Sequence, residues 1–241
     1  MLNKLIFAMV ILLNSNLANS TNNEISIGIA VKENKYIADI KEIVTQAYNE
    51  LDKTVIWKSL PTSRSLRLTN KGKLDAEFLR VNSVADEYEN LIKIDAPLIY
   101  ASINLYCKSP KDCEMALQGK IPVGYNMSYK IYEHICRKEY LSCYGVNTKG
   151  DPNVLFNHNQ LDAILSNDLE IAASLSSFEQ VLFKSKKLED VTGHHYINKK
   201  HKSLASNLEA QLSKRSKNIK TNSKSISDLV KNNKHIKQLD F

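Results

Sequence analysis

Two arginine residues are the strongest candidates for ligand binding in this sequence. Arg64 and Arg80 both belong to the segment WKSLPTSRSLRLTNKGKLDAEFLRV, which covers positions 57–81. A guanidinium group donates paired hydrogen bonds to a carboxylate or to another oxyanion. The two residues are therefore predicted to hold a small anion. The alternative is that one or both form an internal ion pair with Glu77 or Asp75.

Three aromatic and two polar residues complete the predicted ligand-binding set. Trp57, Tyr100 and Tyr125 are candidates for the aromatic walls of a binding cleft, although an aromatic residue near a strand end often simply packs in the core. Asn126 and Ser128 follow a predicted strand. They either donate hydrogen bonds to the ligand or form a turn and a helix cap.

The motifs of common catalytic and metal sites are missing from the sequence. It has no G-x-S-x-G element and no glycine-rich phosphate loop, and only seven of its residues are glycine. His194 and His195 are adjacent, so a strand would point them to opposite faces. The remaining histidines have no partner at metal-ligand spacing; they are His134, His158, His201 and His235. We therefore expect neither a metal nor a cofactor. A pair of catalytic carboxylates needs no fixed spacing, which leaves an enzyme that uses Glu77 as an alternative.

The four cysteines occur in two close pairs, Cys107 with Cys113 and Cys136 with Cys143. An even number of cysteines at short spacing predicts two local disulfides in an oxidising compartment. Three pairings are possible for four cysteines, and the local one is preferred. A zinc site is the competing interpretation, but neither pair has the spacing of a zinc knuckle.

The first twenty residues have the pattern of a secretory signal peptide. Lys4 precedes the apolar run LIFAMVILL at positions 5–13, and Ala18 and Ser20 supply small residues before a cleavage site. The apolar run is too short to span a bilayer comfortably, and an uncleaved anchor is the alternative. We therefore expect an exported protein that has lost residues 1–20.

The net charge of the chain is +7, with 33 lysine and arginine residues against 26 acidic ones. Much of the excess lies in a lysine-rich stretch at positions 199–224. Such a stretch can indicate nucleic acid or an anionic membrane as a partner. Export makes nucleic acid an unexpected partner, so we interpret the lysines as a solvated helix face.

Strands and helices alternate in the first part of the mature chain. Apolar residues at every second position predict a strand over 25–31, and helical spacing predicts a helix over 36–51. A short strand over 54–57 is followed by a helix that begins after Pro61 and ends at 70–72, with Thr62 or Ser63 as its cap. A third strand covers 74–81. This order predicts βαβ units on a parallel sheet.

A second series of the same kind follows Pro97. Strands are predicted over 99–107 and 121–125, and helices over 112–117, capped by Asp112, and 129–140. The pattern continues less clearly through 153–159, 161–165 and 169–183. Near the end, helices are predicted over 203–215 and 225–234. Two successive series without an internal repeat predict two lobes.

The segment around the two arginines resembles the periplasmic solute-binding proteins of ABC transporters, in the family 3 branch that includes polar amino acid binders. A short exported subgroup of substrate-binding domains is the more similar one. Its Pro-x-x-Arg-(Ser/Ala)-Leu helix and Gly-x-x-Asp-(Gly/Ala)-Glu-x-x-Arg strand are matched by Pro61, Arg64, Ser65, Leu66, Gly72, Asp75, Ala76, Glu77 and Arg80. Weaker matches lie at 88–98, 119–125, 161–164 and 195–204.

The resemblance implies an α/β, two-lobed periplasmic binding protein-like fold. Each lobe would be a mainly parallel sheet flanked by helices, and two crossing strands would form the hinge. Residues 21–102 and 188–241 would make lobe one, and residues 103–187 lobe two. Both predicted disulfides then lie in lobe two.

We therefore predict a monomeric solute-binding protein, not an enzyme, that closes on a small polar solute. An anionic or amino-acid-like solute suits the two arginines best. The resemblance implies transport or sensing, with a membrane permease or a sensor as partner. Two alternatives stay open: an exported dehydratase or hydrolase on the same scaffold, and a degenerate binding fold that acts as a protein-interaction module.

Overall fold

A computed structural model gives the structure of the chain. It describes residues 23–30, 35–81, 87–127, 129–146, 152–174, 181–218, 232–234 and 236–239. The predicted signal peptide, the candidate ligand residue Ser128 and most of the predicted helix 225–234 lie outside these residues. None of the helices in the described ranges is both long and apolar enough to cross a bilayer.

The first βαβ units form as the sequence predicts, and we refer to them as lobe one. Its elements are β1 (Glu24–Ile29), α1 (Lys35–Asn49), β2 (Thr54–Ser59), α2 (Thr62–Asn70) and β3 (Ala76–Val81). Strand β1 lies between β2 and β3 and is parallel to both. The isoleucines of β1 alternate with small residues, so one face of the sheet packs on α1 and the other receives α2 closely.

The helix starts differ from the predicted caps. Pro61 occupies the N-cap position of α2, and no side chain caps the helix there. In lobe two, α3 (Pro110–Leu117) is capped by Ser109, whose hydroxyl accepts a hydrogen bond from the backbone N–H of Asp112. Asp112 itself lies in the first turn. In α3 the difference arises because Pro110 fits the first helical position and moves the cap one residue earlier, to Ser109. In α2 the proline takes the cap position itself.

Lobe two repeats the α/β pattern. After β5 (Ile99–Cys107) and α3 come β6 (Val123–Asn126), α4 (Lys130–Lys138), β7 (Cys143–Val146), α5 (Pro152–Asn157), β8 (Ala163–Asn167) and α6 (Asp168–Ser174). Strand β6 is parallel to both β7 and β8. Two apolar clusters cover the two faces of this sheet, one around Val123 and Ile135 and the other around Ile164 and Phe156.

Two antiparallel strands join the lobes. Strand β5 begins beside the lobe-one core and ends in the lobe-two core, and β9 (Leu182–Asn198) returns along it. The described strands form one sheet with the central order β2-β1-β3-β9-β5-β8-β6-β7. The pairing shifts register after Ile103. The fold is therefore two-lobed, with β5 and β9 as the crossing strands.

The long strand β9 was not evident from the sequence beyond its last residues. Two short strands were also missed: β4 (Leu91–Lys93) pairs with the end of β9, and β10 (Ile236–Gln238) pairs with its beginning. A 3₁₀ turn (Lys199–Leu204) leads into α7 (Ala205–Arg215), which packs beside α1 in lobe one. A second 3₁₀ turn follows at Ser216–Asn218.

The C-terminal strand lies on lobe two. Ile236 of β10 packs in the same apolar cluster as Phe156, and Leu239 contacts the cluster on the other face of that sheet. The sequence predicts all of 188–241 as part of lobe one, and that division stays a prediction. In the structure, β10 adds to the free edge of β9 at Leu182, whose side chain packs in the same cluster as Phe156.

Both disulfides have the predicted local pairing. Cys107 bonds to Cys113 and Cys136 bonds to Cys143. The first ties the end of β5 to α3, and the second ties α4 to β7. All four residues therefore lie in lobe two.

Candidate ligand-binding site

A buried carboxylate explains several of the polar residues in the 57–81 segment. Glu77 of β3 is fully buried, and its Oε1 accepts hydrogen bonds of 2.6 Å from Ser65 Oγ and of 2.6 Å from Thr69 Oγ1. Its Oε2 pairs with Arg80 Nη2. Both carboxylate oxygens are thus occupied by groups from α2 and from β3 itself.

Gly28 makes this network possible. A Cβ atom at position 28 would lie 1.9 Å from Ser65 Oγ and 2.8 Å from Glu77 Oε1. Strand β1 therefore needs glycine at this position so that α2 can approach the sheet.

Asp75 fixes the start of β3 in a similar way. Its Oδ2 accepts hydrogen bonds from the backbone N–H and the hydroxyl of Ser26, and its Oδ1 lies 2.7 Å from Lys200 Nζ and from His201 Nε2. Burial raises the pKa of Asp75, but the hydrogen bonds from Lys200, Ser26 and His201 outweigh it and hold the pKa below its ordinary value. Asp75 is therefore a structural anchor between β1, β3 and the turn after β9.

Arg80 occupies the position expected for a ligand residue, but part of its bonding capacity is used internally. It lies near the carboxyl end of β3, the edge at which open α/β sheets bind ligands. Its guanidinium pairs with Glu77 and donates to the carbonyl of Leu79. Its Nε is buried and has no hydrogen-bond partner in the part of the chain that the structure describes. The internal ion pair that the sequence offered as the alternative is thus present, and the Nε donor remains without a partner among these residues.

Tyr129 of lobe two lies within electrostatic range of charged groups from both lobes. Burial raises the pKa of Tyr129, the negative charge of Glu170 raises it further, and the positive charge of Arg80 acts in the opposite direction. The lobe-one guanidinium and the lobe-two carboxylate thus both act on this phenol.

Glu170 is held by its neighbours at the carboxyl end of β8. Its Oε2 accepts hydrogen bonds from Tyr132 Oη at 2.8 Å and from Ser166 Oγ at 3.0 Å. Asn167 donates to the same tyrosine oxygen at 3.0 Å. Burial, followed by the charge of Glu170, raises the pKa of Tyr132 well above its ordinary value, so the phenol stays a donor. We call Arg80, Tyr129, Tyr132, Ser166, Asn167 and Glu170 the interlobe cluster.

A second buried ion pair lies next to the crossing strands. Asp168 Oδ1 accepts hydrogen bonds from Lys184 Nζ at 2.8 Å, Tyr106 Oη at 2.7 Å and Asn104 Nδ2 at 3.0 Å. These residues come from β5, β9 and the start of α6. The network fixes the lobe-two end of the hinge strands to β8.

Arg64 lies apart from Arg80, on the exposed side of α2. Together with Ser63, Arg67 and Tyr88 it lines a cavity of about 350 Å³. We call this the rim cavity. It opens beside the segment that connects β3 to β4, where Glu87 forms an ion pair of 2.5 Å with Lys130 of lobe two. One lining residue of the rim cavity, Tyr88, is therefore the neighbour of a residue that contacts lobe two.

The predicted aromatic walls lie mainly in the cores. Trp57 packs edge-on against Phe78, with ring centroids 5.1 Å apart, and Lys41 of α1 lies over its ring. It therefore faces α1, whereas Arg64 belongs to the helix on the other face of the sheet. Tyr100 packs against the lobe-one core and Tyr125 against the lobe-two core, and both are partly buried. These positions are those of packed aromatic residues.

Of the two predicted polar residues of lobe two, Asn126 lies in the described part of the chain and forms a turn. Asn126 ends β6, and its carbonyl accepts a hydrogen bond of 3.1 Å from the backbone N–H of Tyr129, which is the turn considered as an alternative. Ser128 lies outside the described residues.

Sequence reasoning missed most of the interlobe cluster and half of the rim cavity. Ser166, Asn167 and Glu170 follow from the same carboxyl-end rule that selected Arg80, once β8 is known to continue to Asn167. Tyr129 was recognised only as the start of a helix. Arg67 and Tyr88 gave no separate signal, because an arginine on a helix surface is ordinary. In the described part of the chain, no three His, Cys, Asp or Glu side chains are arranged to hold a metal ion.

The sequence is only distantly similar to that of a known protein. No protein-family model matches the chain. An uncharacterized protein of Shewanella oneidensis is 25% identical over 183 residues, which covers 71% of this chain and 69% of that protein.

Comparison of structures is more informative. The fold is similar to a putative L-cystine ABC transporter protein from Listeria monocytogenes, with a TM-score of 0.63 and 11% identity over 85% of this chain and 94% of that one. The GluR0 ligand-binding core in complex with L-glutamate has a TM-score of 0.63 and 10% identity, over 85% and 95% of the two chains. The ancestral amino acid-binding protein AncCDT-1, a precursor of cyclohexadienyl dehydratase, has a TM-score of 0.64 and 10% identity, over 86% and 95%. These similarities establish the two-lobed periplasmic binding protein-like fold.

Proposed function

We propose that this protein is a periplasmic solute-binding protein that closes its two lobes around a small polar solute. The observation that carries the proposal is the interlobe cluster. A buried arginine of lobe one, whose Nε has no hydrogen-bond partner among the described residues, and a hydrogen-bonded carboxylate of lobe two both act on the phenol of Tyr129. Small-solute sites are often clefts between domains in which a few polar groups fix the orientation of the ligand.

The charges of the cluster favour an amino-acid-like zwitterion. Arg80 Nε would donate to the carboxylate of the solute, and Glu170 would accept from its ammonium group. Similarity to structures described as bound to L-glutamate or L-arginine supports this class of ligand. The solute would then be delivered to a membrane permease or presented to a sensor.

The lobes of the proposal keep the predicted boundaries with one change. Residues 21–102 and 188–218 would form lobe one, and residues 103–187 with 236–239 would form lobe two. The bond of 2.8 Å between Ser102 Oγ and Asp190 Oδ1 lies between the crossing strands near these boundaries. The hinge would bend there, where the pairing of β5 with β9 changes register.

The burial and hydrogen bonding of Glu77 favour binding over catalysis. Glu77 is the candidate catalytic carboxylate of the alternative, an enzyme on the same scaffold, and the similarity to a precursor of a dehydratase is the reason to test that alternative. However, Glu77 is fully buried and both of its oxygens are already bonded. A general base must reach the proton that it removes. Glu77 is not placed to do so.

A thermal-shift screen tests the proposed function. The protein without residues 1–20 would be screened against amino acids, organic acids, polyamines and sugars. Saturation at a hundredfold excess over Kd adds about 2.7 kcal/mol, which for this size raises Tm by about 5–10 °C. Glu170→Gln keeps the acceptor for Tyr132 and Ser166 but removes the charge, so it should abolish the shift for zwitterions.

Glu133→Gln is the matched control, because Glu133 is an exposed carboxylate of α4 in the same lobe. It should leave the shift unchanged. If no solute in the panel raises Tm, the proposed function fails and the interaction module gains support. Turnover of a solute that does bind would favour the enzyme instead.

A further inference from the structure

The rim cavity combines space with unpaired positive charge. Its volume of about 350 Å³ is enough for a small organic anion. Two of its four lining side chains are the guanidinium groups of Arg64 and Arg67, three residues apart on one helix. Among the described residues, neither arginine forms an ion pair, whereas most of the other surface salt bridges in these ranges are made by lysine.

The described residues around the cavity offer these arginines no ion-pair partner. The first turn of α2 carries no acidic residue. Glu87 is paired with Lys130, and Glu89 does not line the cavity. The charged side chains that line the rim cavity in the described part of the chain are therefore both cationic.

The geometry also supplies hydrogen-bond donors besides the arginines. The hydroxyl groups of Ser63 and Tyr88 complete the lining. Pro61 at the N-cap offers no side-chain acceptor to the first backbone N–H groups of α2. Guanidinium groups with neighbouring hydroxyl donors match the several acceptor oxygens of a carboxylate or a phosphate.

We propose that the rim cavity is a second binding site, specific for an oxyanion group of the carboxylate or phosphate class. It is separate from the interlobe cluster, because Arg80 is buried and paired with Glu77 while Arg64 and Arg67 are exposed on α2. An oxyanion bound there would lie beside Tyr88, next to the residue that contacts lobe two. The site goes beyond the proposed function and stands without it.

Titration with inorganic phosphate and with citrate, at constant ionic strength, tests this site. Isothermal calorimetry gives Kd, and NMR of ¹⁵N-labelled protein gives the location from the shifts of the 63–67 amides. We expect the double variant Arg64→Gln/Arg67→Gln to weaken binding by about tenfold or more, since each hydrogen bond to a charged group contributes about 1.5–3 kcal/mol. Tyr88→Phe, which keeps the packing, should weaken it less.

Lys71→Gln/Lys73→Gln is the charge-matched control. These lysines are exposed just beyond the other end of α2, and their removal changes the net charge by the same amount. Equal weakening by both double variants would mean general electrostatic attraction and would overturn the proposal. So would unchanged binding in Arg64→Gln/Arg67→Gln, or shifts that map to another surface. A preference for citrate over phosphate identifies a carboxylate ligand, and the reverse preference a phosphate ligand. Because Glu170→Gln leaves this cavity intact, the oxyanion titration and the solute screen can fail independently.

Discussion

Lys130 Nζ lies 2.5 Å from Glu87 Oε2, and this ion pair joins the two lobes outside the hinge strands. Glu87 belongs to the connection between β3 and β4, and Lys130 is the first residue of α4. The hydrogen bond to Glu87 raises the pKa of Lys130, so the amine stays charged at neutral pH. The pair therefore stabilises the arrangement of the lobes in this structure, which the proposed function takes as the closed one.

Glu87→Gln should shift the protein toward an open arrangement. Both partners are exposed, so the pair contributes at most about 1 kcal/mol and less at high salt. We expect a larger radius of gyration in small-angle X-ray scattering at low salt, and solute binding weakened by about two- to fivefold. Glu133→Gln removes an exposed ion pair within α4 and serves as the control. Identical scattering from both variants would contradict a role for Glu87 in closure.

Glu77→Ala should destabilise lobe one strongly. It leaves the Arg80 guanidinium buried without its counter-charge and removes the acceptor of Ser65 and Thr69. Breaking a buried pair in this way costs about 3–5 kcal/mol. Urea unfolding, with ΔG extrapolated to water, measures the loss. Glu77→Gln keeps part of the hydrogen bonding and should lose less, and a loss below about 1 kcal/mol for Glu77→Ala would show that the network is unimportant.

Gly28→Ala should destabilise the protein through its contact with Ser65. The added Cβ would lie 1.9 Å from Ser65 Oγ, so α2 has to move away from the sheet. Overpacking of this kind costs about 1–3 kcal/mol. Ser65→Ala removes the oxygen that clashes, so the double variant should lose less than the sum of the single losses. Strict additivity in this double-mutant cycle would argue against the close approach of α2.

Stability should fall between about pH 6.5 and pH 4 because of His195. Burial is the main cause that lowers its pKa to about 4 from the ordinary 6.5, against the hydrogen bond with the Phe78 carbonyl. Between these values the unfolded chain binds a proton that the folded protein does not, so the contribution is complete above pH 6.5 and is lost as the pH decreases. The loss should reach roughly 3 kcal/mol near pH 4.

His195→Gln isolates this effect. The carbonyl of Phe78 can only accept, so Nδ1 of the neutral ring donates to it and Nε2 accepts from the hydroxyl of Tyr48. The amide of glutamine can make both bonds and does not titrate. Urea unfolding at several pH values should therefore give a flatter profile for this variant. Exposed His134→Gln is the control, and a profile unchanged in His195→Gln would assign the pH dependence to other groups.

The sequence was most informative where local pattern and burial agree. Alternating isoleucines in β1 and helical spacing in α1 identified these elements to within a few residues. The prediction of β5 as 99–107 matches its observed range. Fold class followed from the order of such elements together with the family resemblance.

Pairing and contacts between residues that are distant in the sequence could not be predicted in the same way. Strand β9 is 17 residues long and mixes buried and exposed positions, because it pairs with four different strands in succession. Its pattern therefore has no single period. Among the site residues, Arg64 and Arg80 have the same chemistry. Only the three-dimensional packing shows that Arg80 is paired with Glu77, whereas Arg64 is exposed.

The placement of β10 puts the two ends of the described chain beside different parts of the sheet. The backbone carbonyl of Asn23 is bonded to β2 in lobe one, and the backbone N–H of Leu239 is bonded to Lys184 in lobe two. In the proposed division of the chain, the first and last described residues thus belong to different lobes. Fluorophores attached at these two positions would report the lobe-to-lobe distance directly. A single labelled chain could then be followed through each opening and closing event, without any label near the ligand.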